Sequence, residues 1–151
     1  MKAALAQLIR TLNARGWSPA TSTNFSFIDE HQQIWVSRSG VNKAEFTDLD
    51  FMTIDTNGIG TGQYHGVKPS DETQIHLWIY KHFPDAKVVL HSHGKYPVLI
   101  SQFNEDYFPV QGYELQKGFK GCTSHLASLQ IPIVDNQQDM QLLCAALDAR
   151  I

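Results

Sequence analysis

The chain has 151 residues, 42% of them hydrophobic and 18% charged, with a formal net charge of -3. That suffices for one domain with a substantial core, and it excludes the basic footprint of a nucleic-acid-binding surface, although a single sugar-phosphate site needs only a few local donors. No run reaches the ~20 apolar residues of a membrane span, Arg10 and Arg15 spoil the N-terminus as a signal peptide, and Cys122 and Cys144 read as reduced thiols in a cytoplasmic protein rather than a disulfide framework.

Residues 2–15 read as an amphipathic helix, with Leu5, Leu8, Ile9 and Leu12 at helical spacing and Gly16 as its stop. "NFSFID" and "QIWVS" alternate as two strands joined through Glu30 and His31, and "FMTID" is a third. "KPSDETQIHLWIYKHF" opens a helix, with Ser70 as cap, Asp71 and Glu72 in the first turn, and a buried stripe of Ile75, Trp78 and Ile79. "KVVLH" has no polar alternation and is expected as a central strand, buried on both faces. Short helices are expected over 95–103, with Pro97 in the first turn, and over 113–119. "IPIVD" is a strand, and "QDMQLLCAALDARI" a helix with Met140, Leu143, Cys144 and Leu147 on one side. The pattern is an α/β mixture around one sheet, without repeat, low-complexity segment or linker.

The chemistry-bearing stretch is "VVLHSHGKYP". Residues two apart on a strand share a face, so His91 and His93 can reach one ion at about 2.0–2.1 Å. Spacing alone leaves surface histidines as an equal alternative, and no other histidine stands in a partner motif. "PATSTNFS", "SRSG" and "KPSDE" are hydroxyl-rich turns or helix starts whose backbone N–H groups suit an anion; each by itself is more often a turn capping its own backbone. Together with the paired histidines they point to a metal beside a phosphate. Glu114, in "QGYELQKG", is a candidate acid/base, but the residues do not raise it above Glu72 or Glu105.

The stretches "GWSPATSTNFS", "SRSGVNKAEFT", "KPSDETQIH", "HSHG" and "GYELQKGFKGCTSH", in this order, resemble the class II aldolase/adducin superfamily. The likeness runs from about Gly16 to the last helix, and "GYELQKG" with "IPIVDNQQDM" points within it to a bacterial dehydratase branch of methionine salvage. The resemblance implies a class II aldolase-like α/β/α sandwich around a largely antiparallel sheet. It implies zinc, one per subunit, on His91 and His93, and a homotetramer with active sites near subunit interfaces. It implies Glu114 as the catalytic acid/base, Asn24, Ser39, Gly40 and Ser70 as phosphate-binding residues, and Glu72 beside them at the substrate. The implied reaction is zinc-assisted enediolate formation and loss of water from a methylthio-ketopentose phosphate.

Three departures bear on these expectations. Thr23 stands where the family carries a glycine, and its Cβ opposes close approach to a phosphate. Asp71 replaces a small residue beside the phosphate loop, where an inward charge would oppose the substrate. The family also continues into a segment with a third zinc histidine, so a single domain over 1–151, shortened at its C-terminal side, is expected. Other sugar-phosphate aldolases or epimerases of the superfamily, and a catalytically inactive adducin-like interaction module, are the alternatives.

Overall fold

The computed structural model describes residues 1–103 and 106–151. Its main sheet holds β1 (Asn24–Ile28), β2 (Ile34–Ser37), β3 (Phe51–Ile54) and β4 (Val88–His91) in the order β3-β2-β1-β4. Every pairing in it is antiparallel. A separate hairpin-like pair joins β5 (Tyr107–Val110) to β6 (Leu129–Pro132).

Alternation along β1 sends Phe25 and Phe27 to one face and Asn24 and Ser26 to the other. Helix α1 (Lys2–Ala14) covers the aromatic face, packing Leu5, Ala6, Ile9 and Leu12 on Phe25, Phe27, Phe46 and Phe51. Phe51 meets Phe27 and Phe46 edge-on, with ring centroids 5.3 and 5.1 Å apart, an arrangement that suits the opposite charges of ring face and ring edge. Gly16, at φ +76°, ends this helix. On the opposite face, α2 (Thr73–His82) brings Leu77 and Tyr80 onto Ile34, Val36, Met52 and Ile54. The sheet is thus sandwiched between helices. The remaining helices are α3 (Lys95–Ser101) and α4 (Met140–Asp148). α4 packs on α2, and Trp78 Nε1 donates to its Asp148 at 2.8 Å. Among the described residues no helix is long and apolar enough to cross a membrane.

Three expectations need correction. β4 is an edge strand, not a central one: Val89 is buried, whereas Val88 and Leu90 are 41% and 45% exposed. An unbroken apolar run does not reveal whether both faces are covered. α2 begins at Thr73, with Ser70 and Asp71 in the preceding turn and Glu72 as N-cap. Its buried stripe is Thr73, His76 and Trp78 rather than Ile75, Trp78 and Ile79, because β1 offers polar partners to the helix face turned toward it. Strand β5, with Pro109 inside it, was not expected; Pro109 is tolerated in a two-stranded pair, where one edge needs no donor.

Candidate functional site

The β1–β4 register places Asn24 opposite His91. His91 closes β4, and His93 follows two residues on, its backbone N–H donating to Trp17 O at 3.0 Å. The two imidazoles lie 4.8 Å apart between centroids and are tilted by 37°. The N-cap of α2 brings Glu72 to them, its Oε2 3.5 Å from His91 Nδ1. One ligand atom from each of Glu72, His91 and His93 lies within 4.8 Å of the others. His91 Nδ1 is the one buried side-chain polar atom among the described residues without a hydrogen-bond partner. Burial pushes the His91 pKa below the usual histidine value against the opposing pull of Glu72, and His93 adds to the lowering. A neutral imidazole with a free lone pair, a second imidazole and a carboxylate form a donor set suited to a divalent cation, so the residues present fit a metal.

Asn24 ties this group to the phosphate-type loops. Its Nδ2 donates to Glu72 Oε2 at 2.5 Å and approaches Ser70 Oγ at 3.5 Å. Ser70 and Ser39 line a polar cavity of about 440 Å³ together with Glu72 and Lys68. Gly40 follows Ser39 at φ +74°, a left-handed turn that glycine adopts without strain. Asp71 is exposed and pairs with Lys68 Nζ at 2.7 Å, so its charge is spent on the lysine that would otherwise serve an anion. Thr23 is held at φ +91°, a conformation unfavourable for a β-branched residue, and its hydroxyl donates to Ser18 at 3.2 Å.

Sequence reading brought together Asn24, Ser39, Ser70, Glu72, His91 and His93, and the fold gathers these. It does not gather Glu114, an exposed side chain that opens a 3₁₀ turn (Glu114–Gly118) and pairs with Lys117 Nζ at 2.6 Å. Glu105 lies outside the described residues. Two features escaped sequence reading. Asn136, Gln137 and Gln138, ahead of α4, line the same polar cavity, and the polar run "DNQQD" was their only signal. His76 and Ser26, buried behind Asn24, carry none beyond the spacing Glu72, His76, Tyr80 at every fourth residue. A larger cavity of about 930 Å³ between α2 and α4 contains neither a histidine nor a carboxylate in its lining and lies apart from this chemistry.

The description of the class II aldolase and adducin N-terminal domain matches residues 3–151. The chain is 44% identical to the methylthioribulose-1-phosphate dehydratase of Picosynechococcus sp., over 99% of this chain and 71% of that protein. It is 38% identical to the enzyme of the same name from Xanthomonas oryzae pv. oryzae, over 93% of this chain and 63% of that protein. Among solved structures, the L-fuculose-1-phosphate aldolase of Thermus thermophilus superposes with a TM-score of 0.66 at 22% identity, over 94% of this chain and 67% of that one. The chain therefore spans roughly two thirds of the length of the proteins it matches.

Proposed function

The chain belongs to the class II aldolase and adducin family and, within it, to the methylthioribulose-1-phosphate dehydratases, and from that premise we propose that it dehydrates 5-methylthioribulose 1-phosphate to the 2,3-diketo-5-methylthiopentyl phosphate at the Glu72–His91–His93 site. The observation that carries this reading is the convergence of those three ligand atoms beside Asn24 and Ser70. Glu72, His91 and His93 are the residues that would hold the cation, which we assign as zinc. When bound, a zinc ion supplies Lewis acidity toward a carbonyl.

Asn24, Ser39, Gly40 and Ser70 hold the phosphate, and that remote binding energy orients the reacting carbons. The proton on C3, α to the ketone, leaves to a carboxylate. The C4 hydroxyl departs as water after taking up a proton, and the resulting enol tautomerises to the diketone. Glu114 is our candidate for this proton transfer. Its exposed position suits action on the site of a neighbouring copy in a homo-oligomer, for which the tetramer is our proposal.

The test is turnover of 5-methylthioribulose 1-phosphate by zinc-loaded protein, with L-fuculose 1-phosphate cleavage as the control for aldolase chemistry. Glu114→Gln should lose turnover at least about 100-fold, the scale of a lost acid/base, and His91→Ala should lose turnover by removing a ligand of the cation. Mixing the two inactive chains should restore part of it if Glu114 acts across an interface. Cleavage of the fuculose substrate without dehydration would overturn the assignment.

A further inference from the structure

Behind the metal and phosphate residues lie His76, Ser26 and Tyr80, a line of polar groups to which the proposed reaction assigns no part. Glu72, His76 and Tyr80 are spaced four apart on one face of α2, and Asn24 and Ser26 two apart on one face of β1. They interlock. His76 Nδ1 meets Ser26 Oγ at 2.6 Å, and Ser26 Oγ meets Tyr80 OH at 2.7 Å. On its other side, His76 Nε2 meets Asn24 Oδ1. Ser26 and His76 are essentially inaccessible to solvent.

Chemistry fixes the direction of this line. The Glu72 carboxylate only accepts, so Asn24 must turn its NH2 toward it. That leaves the Asn24 carbonyl facing His76, which must then donate from Nε2. Burial, with the neighbouring His91 adding to it, pushes the His76 pKa from 6.5 down to about 3, so the ring is neutral and carries one proton. Nδ1 must therefore accept, Ser26 must donate to it, and Tyr80 must donate to Ser26. Burial raises the Tyr80 pKa to about 12, keeping its proton in place.

We propose that His76 is a positioning residue: its Nε2–H locks the Asn24 amide in the orientation that presents NH2 to Glu72, and so holds the Glu72 carboxylate in place beside His91. The proposal rests on the assignment of Glu72 as a ligand of the site. Without the histidine donor, Asn24 is free to turn its carbonyl oxygen toward the carboxylate, which repels it. A side chain that merely fills space behind the site would not control this orientation.

The experiment uses the whole chain. Long-range proton–nitrogen NMR reads the His76 tautomer, and the Asn24 side-chain NH2 signal reads the amide. Zinc affinity is measured by competition titration, and thermal melting tracks folding. The expected tautomer is Nε2–H. His76→Leu should shift the Asn24 signal and weaken zinc about 10-fold or more. His76→Gln, which keeps a donor near the Nε2 position, should restore both. Ser26→Ala is the milder variant should His76→Leu not fold, and it should populate the wrong tautomer. The double variant His76→Leu/Glu72→Gln should bind zinc no more weakly than Glu72→Gln alone, since both act through one carboxylate. An Nδ1–H tautomer, an Asn24 signal unmoved in every variant, or additive losses in the double variant would each overturn the proposal. Glu72→Gln with unchanged zinc affinity would instead remove the assignment of Glu72 as a ligand, and an Asn24 signal that still followed His76 would then support the amide lock on its own.

Discussion

Individual residues carry the local costs of this site. Thr23 occupies a left-handed conformation that its branched Cβ resists, a strain of order 1–3 kcal/mol. The hydroxyl bond to Ser18 offsets only part of this. Thr23→Gly is therefore expected to stabilise the fold by about 1 kcal/mol, read from urea unfolding; a loss of stability would show that the threonine's contacts outweigh its strain. Asp71 poses a different problem, since its pairing with Lys68 withholds a cation from the polar cavity. Asp71→Ser should tighten inorganic phosphate binding a few-fold, the scale of an exposed ion pair, with the gain shrinking as salt is raised. His76 has a stability consequence as well. An unfolded chain protonates it near pH 6.5 and the folded chain only near pH 3, so the unfolded state binds the extra proton between those values. Stability accordingly falls as pH drops through that window, by about 1.4 kcal/mol per unit for this group. His76→Gln should flatten the slope between pH 6.5 and 4.5 relative to wild type. Equal slopes in the two proteins would show that the buried ring is not the source.

At the scale of elements, the site depends on where α2 starts and on what it faces. Ending the preceding turn at Glu72 rather than at Ser70 leaves Ser70 free to line the cavity and Glu72 free to reach the histidines. α4 supports α2 from outside, and its own start is secured by Asp139, whose side chain accepts from the N–H groups of Gln141 and Leu142. Asp139→Ala should cost about 1 kcal/mol in urea unfolding, the usual value of an N-cap. An unchanged midpoint would mean that contacts with α2 alone hold this helix. The helical and strand periods that specify these elements were legible along the chain. The polar inner stripe of α2 was not, because a histidine at a helical spacing announces neither burial nor partner. Only Ser26 and Asn24 on β1, fifty or so positions earlier, make that burial tolerable.

The whole molecule leaves one edge of its sheet bare. α1 packs on Phe25 and Phe27, but Val88 and Leu90, opposite them on edge strand β4, remain exposed. Tyr96, Leu99 and Phe103 add exposed apolar surface on and just after α3. A bare edge and apolar surface of this kind favour association between chains. Sedimentation velocity is expected to show species larger than the 17.0 kDa monomer, and Val88→Lys with Leu90→Lys should shift them toward it. A monodisperse wild-type monomer would contradict both this expectation and a role for Glu114 across an interface.

Local order along the chain determined the α/β character, the paired histidines at the end of a strand and the hydroxyl-rich turns, because strand and helix periods and turn chemistry are properties of neighbouring residues. Which carboxylate stands at the histidines, which face of α2 is polar, and whether β4 lies inside or at the edge were decided by tertiary structure alone. Those outcomes depend on the register that sets Asn24 against His91 and on helix packing that sets Glu72 and His76 against β1. Glu72 and Glu114 are both glutamates in polar surroundings when read along the chain. Distance in the folded molecule separates them, and no short-range pattern encodes that distance.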